Sequence, residues 1–341
     1  APLVGRAALA RAAADAARTV SSIKRILGRG FDEPEVRRLD AGVGYRLERG
    51  PRGAPVVVLD DRQLAPPQVV AEVLGRLREL AELRFGRGTI ERAVMSVPAG
   101  TGPGYREALT LAARLARMEV VRMVEEPVVG TFAVGKSMAP AERTIAVCDF
   151  GGGTFDITLA LQRGHEFACP VVTGDPFLGG DDFDEALADG VAGQVHAAAA
   201  YDMRRDVVRW RGLVMRCEQV KRRLSAADRA ALRMPDAFTA HGRQRDLELE
   251  ITREAAEQRW QPLLTRTREA LQAALAAPAG GQTVDEVLLI GGTSLIPCVQ
   301  RTVGQGFGRP IEIPEHADVV VTAGAAMLAH TLGAERLSPG R

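Results

Sequence analysis

Short apolar runs alternate with stretches of helical period along most of this chain. Residues 54–60, 93–97, 120–124, 144–149 and 284–290 are such runs. Residues 155–161 alternate strictly, with Phe155, Ile157, Leu159 and Leu161 on one face and Thr154, Asp156 and Thr158 on the other. These segments predict strands, and 246–251 alternates in the same way. Pro66-Pro67 opens a predicted helix with apolar positions Val69, Val73, Leu77 and Leu80. Further helices are predicted over 105–118, from Glu125-Glu126-Pro127 onward, through the basic stretch 201–228, over 253–277 up to Pro278, and in the Gly/Ala-rich segment 318–332. Residues 1–40 read as helical and then turn-rich. Strand–helix alternation predicts an α/β fold, and 341 residues that are 46% hydrophobic suffice for two domains or two lobes.

The stretch 144–161, TIAVCDFGGGTFDITLAL, organises the rest. Asp149 stands near the end of the first strand, Gly151, Gly152 and Gly153 make the turn, and Thr154 leads into the second strand. Successive glycines let backbone amides converge on an anion with no Cβ in the way, and an adjacent carboxylate can hold the anion's magnesium. The competing reading is an ordinary glycine hairpin, for which one or two glycines suffice. A second strand-to-glycine junction lies at 290–292, beyond a helical insertion. The stretch from Gly130 to Lys136-Ser137 fits G-x-x-x-x-G-K-S literally. A P-loop needs a helix beginning at that Lys-Ser, and Pro140 followed by the strand at Thr144 leaves no room for one. Residues 127–134 read instead as a helix closed by Gly135.

Composition narrows the partners. A net charge of +1 gives no electrostatic case for nucleic acid or an anionic membrane, and no apolar run approaches membrane-spanning length. Cys148, Cys169, Cys217 and Cys298 are scattered without a C-x-x-C, which fits a reducing compartment and no structural zinc. Among 44 basic residues the lysines are only Lys24, Lys136 and Lys221, so a retained lysine marks a place that needs a compact ammonium.

Several segments, in family order over residues 3–334, resemble the seventy-kilodalton heat-shock chaperones within the actin-like ATPases. They are SSIKRILGRGFDEPEV, VVRMVEEPVVGTFAVG, AVCDFGGGTFDITLA, LGGDDFD, RCEQVKRRLS and VDEVLLIGGTSLIPCVQ. The resemblance implies an α/β, actin-like (ribonuclease H-like) two-lobed ATPase fold, with a nucleotide cleft between lobes and without its first strands. The first lobe would be 1–141, completed by 313–335, and the second 142–312, with a helical subdomain over about 179–259. It implies ATP/ADP and Mg2+ as cofactors. Asp149 would hold the magnesium and position attacking water, with the amides of Gly151, Gly152 and Gly153 and with Thr154 on the phosphates. Glu126 would orient or deprotonate the water, and Lys24 would place its ammonium on the γ-phosphate. Glu218, Lys221, Arg222 and Ser225 would clasp the adenosine, Gly291 and Gly292 would let the backbone approach the ribose and phosphates, and Asp318 would close the site. Pro98 and Arg106 match positions that relay nucleotide state between lobes.

The resemblance further implies ATP hydrolysis in a cytoplasmic chaperone that assists protein folding. Its partners would be a J-domain co-chaperone, a nucleotide-exchange factor and, only through a domain outside this chain, unfolded client polypeptide; neither nucleic acid nor membrane is implied. Three departures stand out. The family's first phosphate loop is not in the chain, which implies weak nucleotide binding and turnover by these residues alone. Leu295 stands where the family places an Arg against the adenine, and the loop AGTGPGY after Pro98 differs from the family's. Taken singly, Glu126 reads equally as a helix N-terminal acid, and Lys221 with Arg222 as a solvated helix face. Two other functions fit the same fold: a non-enzymatic actin-like scaffold or interaction module, and a small-molecule kinase, which predicts a sugar-binding constellation that the sequence does not display.

Overall fold

The computed structural model describes residues 2–12, 14–135, 142–164, 166–240, 242–277 and 283–337. Lys136 and Ser137 of the G-x-x-x-x-G-K-S match, and the helix stop at Pro278, lie outside the described residues. Two compact units form. The first takes the chain up to Met95 with Thr101–Met123 and Arg204–Gly212; the second takes Ser96–Gly100, Val124–Met203 and the residues from Leu213 on.

Helices α1 (Arg6–Ala12) and α2 (Pro34–Gly42) precede an antiparallel sheet of β1 (Arg46–Arg49), β2 (Pro55–Leu59) and β3 (Arg62–Leu64). Then come α3 (Pro66–Phe85), β4 (Arg92–Val97), α4 (Pro103–Leu115) and β5 (Glu119–Glu125), with β4 paired to β5. The first unit's core gathers Ile26, Phe31, Val36, Leu39, Tyr45, Leu47 and Val57. Helix α2 corrects the turn-rich reading of this region: Pro34 starts it, where a missing N–H costs nothing. Lys24 sits on the short helical turn Ile23–Ile26, which runs into Gly28. A Cβ on Gly28 would lie 2.4 Å from the Tyr105 amide nitrogen, so the lysine loop packs backbone against backbone on the first turn of α4.

Only part of the α3 stripe is covered. Val69 packs on the core, whereas Leu77 is 57% and Leu83 79% exposed, flanked by exposed Val73, Leu80 and Phe85. Contiguous apolar surface of this kind drives association. Leu77→Arg combined with Leu83→Glu is expected to lower the fluorescence of a hydrophobic dye on the protein about threefold, with the unfolding temperature unchanged. Unchanged dye binding would mean that the face is covered in solution.

The second unit is built on a five-stranded sheet. Its elements are α5 (Glu126–Ala133), β6 (Arg143–Phe150), β7 (Phe155–Arg163), β8 (Glu166–Asp175), α6 (Gly180–Ala199) and α7 (Val207–Leu224), whose first residues belong to the first unit. They continue with β9 (Arg229–Ala240), β10 (Arg243–Thr252), α8 (Arg253–Ala276), β11 (Glu286–Ile290), α9 (Pro297–Phe307), β12 (Ile311–Glu312) and α10 (Val320–Leu337). The sheet order is β12-β11-β6-β7-β8, with β11 parallel to both β12 and β6, and β6, β7 and β8 successively antiparallel. Central β6 is buried along nearly its whole length, as a strand covered on both faces requires. The same cover buries Thr158 on β7, so the alternation there marks the strand but not a wet face. Strands β9 and β10 make a separate hairpin, bulged where Pro235 and Asp236 meet Asp246. Among the described residues, no helix is long and apolar enough to cross a membrane.

Candidate functional site

Parallel pairing brings the two glycine junctions together. Ile290 at the end of β11 lies opposite Asp149 near the end of β6, so both glycine turns leave the same, C-terminal end of neighbouring parallel strands. That is where open α/β sheets collect their ligands. Gly291 has φ 88° and ψ 158°, a region that essentially only glycine adopts. A Cβ on it would stand 2.4 Å from the Phe150 carbonyl oxygen and 2.6 Å from Asp149 Oδ1, so the Asp149 carboxylate rests against the Gly291 backbone. The Gly291 amide donates to the Ala317 carbonyl at 2.8 Å, and Asp318 Cβ is 3.9 Å from where a Gly292 Cβ would be. Asp149, the 151–154 turn, Gly291, Gly292 and Asp318 therefore gather at one end of the sheet.

The glycine turn is tied back by its carbonyls. The Gly151 amide donates to the Thr154 carbonyl at 3.0 Å and closes the turn. The Gly151 carbonyl accepts from the Gly180 amide at 3.1 Å and from Thr293 Oγ1 at 2.8 Å, and the Gly152 carbonyl accepts from the Asp181 amide at 2.8 Å. No cis peptide occurs among the described residues, and a planar trans peptide points its N–H opposite its C=O. With both carbonyls turned onto the first residues of α6, the N–H groups of Gly152 and Gly153 point away from that helix. Helix α6 comes this close because residue 179 is glycine: a Cβ there would lie 2.4 Å from the Gly152 carbonyl oxygen. Beneath the turn, Phe150 stacks on Phe155 with centroids 4.3 Å apart, Phe183 meets Phe150 edge-on at 5.9 Å, and Trp260 Nε1 donates to the Phe183 carbonyl at 2.9 Å. Thr154 Oγ1 donates to Asp156 Oδ2 at 2.7 Å. The sequence reading missed Asp156 as a site residue, although the alternation had already put it on the Thr154 face.

Glu126 begins α5, where the helix dipole favours an acid, and it is buried there. One turn later Gly130 lies against Ile290, with Ile290 Cδ1 3.1 Å from a hypothetical Cβ. On the other side, Gly324 of α10 lets the Val129 carbonyl approach to 2.2 Å of its own Cβ position. Two glycines thus press the helix that carries Glu126 onto the last residue of β11. The neighbouring Glu125 hydrogen-bonds the Cys169 thiol; burial first, and then this carboxylate, push that thiol up to about 11, so it stays protonated at neutral pH.

The α7 residues separate into two sets. Glu218 and Arg222 are exposed and paired one turn apart at 3.7 Å, and half-buried Ser225 follows just past the end of the helix. Lys221 turns inward. Its side chain is 11% exposed, and its Nζ donates to Asp184 Oδ2 and to the Gly180 carbonyl, each at 2.7 Å. The solvated-face reading therefore holds for Arg222 and fails for Lys221. Burial pushes the Asp184 carboxyl up to about 7 even though Lys221 pulls it down. Asp184 and Thr293 were missed from sequence; both sit inside motifs already recognised, at LGGDDFD and IGGTS. Lys24 and Arg106 belong to the first unit, where Lys24 is exposed and Arg106 Nε donates to the Thr101 carbonyl at 3.2 Å; Pro98 belongs to the second, half-buried after β4.

Among the described residues, no three His, Cys, Asp or Glu side chains cluster as a self-sufficient metal cage. Magnesium keeps most of its waters and is commonly held through one or two carboxylates plus the ligand's phosphates. Asp149, resting on Gly291 beside the glycine turn, is the carboxylate that fits. The family model described as Hsp70 protein matches residues 1–338.

Proposed function

The chain belongs to the Hsp70 family of chaperone-type ATPases, and from that premise we propose that it is the domain that binds ATP and hydrolyses it to drive a protein-folding cycle. The observation that carries this reading is the tied-back glycine turn, with its amides aimed away from α6 and the Asp149 carboxylate beside it. Those amides hold phosphate oxygens, Thr154 joins them when its hydroxyl turns from Asp156, and Asp149 would hold the magnesium. When bound, the metal supplies neutralising charge to the phosphates. Glu126 orients the attacking water and accepts its proton. The exposed α7 residues Glu218 and Arg222, with half-buried Ser225 just past the helix end, take the adenosine, while Lys221 stays inside on Asp184 and the Gly180 carbonyl. Asp318 and the Gly291-Gly292 backbone line the same sheet end. The role of Lys24 on the γ-phosphate rests on the family resemblance alone.

Phosphoryl transfer of this kind depends on positioning and charge stabilisation, which suits a site made of backbone amides and few side chains. A J-domain protein and a nucleotide-exchange factor are the proposed partners, and a cytoplasmic setting is proposed with them. Titration calorimetry with ATP and ADP, with and without magnesium, tests the reading together with a turnover assay. Magnesium-dependent binding is expected, and Glu126→Ala is expected to reduce turnover about a hundredfold while leaving ADP affinity within about threefold. Binding that ignores magnesium, or turnover indifferent to Glu126→Ala, would overturn it in favour of a scaffold.

A further inference from the structure

The Asp184–Lys221 pair is the feature of the second unit that folding alone explains least. Asp184 Oδ1 is buried without a hydrogen-bond partner among the described residues, while Oδ2 takes the Lys221 ammonium at 2.7 Å. A buried ion pair gains little over apolar residues of the same volume, and an unsatisfied carboxylate oxygen makes the balance worse. Such a pair is better understood by what it holds in place.

What it holds is the first turn of α6. Lys221 Nζ donates to the Gly180 carbonyl at 2.7 Å; the Gly180 amide donates to the Gly151 carbonyl at 3.1 Å; the next amide, of Asp181, donates to the Gly152 carbonyl at 2.8 Å. The chain of contacts thus runs from α7, through one residue of α6, into the glycine turn. There is little slack along it. A Cβ on Gly180 would lie 2.9 Å from Thr293 Oγ1 and 3.0 Å from Lys221 Nζ, and Thr293 Oγ1 is the second donor to the Gly151 carbonyl. Asp184 lies one helical turn beyond Gly180, on the same face of α6, and is the carboxylate that anchors the ammonium. Burial first, and then the Asp184 carboxylate, push the nearby Cys217 thiol up to about 12, so it stays a thiol.

We propose that Asp184 is a positioning residue, which holds Lys221 on the Gly180 carbonyl and thereby fixes the glycine turn in its anion-facing geometry without touching the ligand. The nucleotide part of this inference rests on the function proposed above; the mechanical part, that Asp184 orders the turn, does not. Asp184→Asn keeps the shape and one acceptor but removes the charge, and Asp184→Glu keeps the charge but displaces it, should the first variant fail to fold.

Amide hydrogen exchange on the ligand-free full chain reads the mechanical part. Asp184→Asn is expected to speed exchange of the Gly180 and Asp181 amides about tenfold, with the β9–β10 hairpin unchanged. Calorimetry with magnesium reads the rest: affinity for ADP should fall about tenfold, and affinity for adenosine, which has no phosphates, by less than about twofold. Unchanged exchange at those two amides overturns the proposal whatever the nucleotide does. Equal losses for ADP and adenosine overturn it as well, since they would place the effect on the base side or on the whole unit. If the unaltered protein binds neither ligand, the nucleotide reading fails, and the exchange result alone decides the role of Asp184.

Discussion

Gly291→Ala is expected to lower the stability of the protein by about 3 kcal/mol, or roughly 8 °C in unfolding temperature. Two costs add at this residue. Its backbone conformation, φ 88° and ψ 158°, carries on the order of 1–3 kcal/mol of strain for any residue with a Cβ. The Cβ itself would come within 2.4 Å of the Phe150 carbonyl oxygen and 2.6 Å of Asp149 Oδ1, which are backbone and a strand-end side chain and have no room to retreat. Relief requires that β11 and β6 part at the site. Gly308 supplies the control. It also has positive φ, 61°, as the C-cap of α9, but nothing lies within 4 Å of a Cβ there, so Gly308→Ala should cost only about 1 kcal/mol. Paired thermal melts decide the matter: if the two variants melt together, the close approach of Asp149 to Gly291 is not as tight as described.

What the sequence made legible was local. The apolar run 144–149, three glycines and the alternation after them are contiguous, so the β6–turn–β7 hairpin could be read without any tertiary information. The start of α5 at Glu126-Pro127 followed from proline at the first helical turn. Strand β9 was not read, because its buried positions Ala230, Leu232 and Met234 include an alanine, and Pro235 argues against a strand unless a bulge absorbs it. Strand β8, EFACPVVTGD, carries both Pro170 and Gly174 and shows no clean alternation, and β12 is only two residues long. The α3 stripe was legible as a pattern but not as burial, since a period says which residues share a face and not what covers it.

The site divides in the same way. Asp149 and the three glycines could be named from one short segment. The partners that orient them could not: Lys221 and Asp184 are separated by 37 residues, and Thr293 reaches the Gly151 carbonyl across 142. Contacts of that range have no periodic trace in a sequence. A lysine read as one of four adenosine ligands turns inward instead, onto Asp184 and the first turn of α6, and that became visible only when its burial and its two acceptors were known.

Asp149→Asn is expected to abolish the magnesium dependence of ADP binding and to lower ATP turnover by about 10²–10³-fold. The substitution suits the question because it is isosteric. Asp149 Oδ1 lies 2.6 Å from the Cβ position of Gly291, so a larger or smaller side chain would change the packing of the strand ends along with the charge. Asparagine leaves the β6–β7 and β6–β11 pairings in place and should melt within about 1 °C of the parent. Two further comparisons separate the carboxylate's role from that of the amides. Adenosine affinity should be untouched, because the α7 stripe is unchanged. Phosphate-bearing ligands should still bind better than adenosine, since the Gly152 and Gly153 amides are held by the carbonyl bonds to α6 and not by Asp149. The sign of the metal effect is the decisive measurement. In the parent, magnesium is expected to tighten ADP binding, Asp149 adding a negative ligand to the ion; in Asp149→Asn that gain should be lost, and raising magnesium from zero to millimolar should shift the ADP affinity by less than about twofold. A variant that keeps the parent's magnesium response would show that the strand-end carboxylate does not hold the ion, and would move the metal to another acid at that end of the sheet, with Asp156 beside Thr154 the first to test.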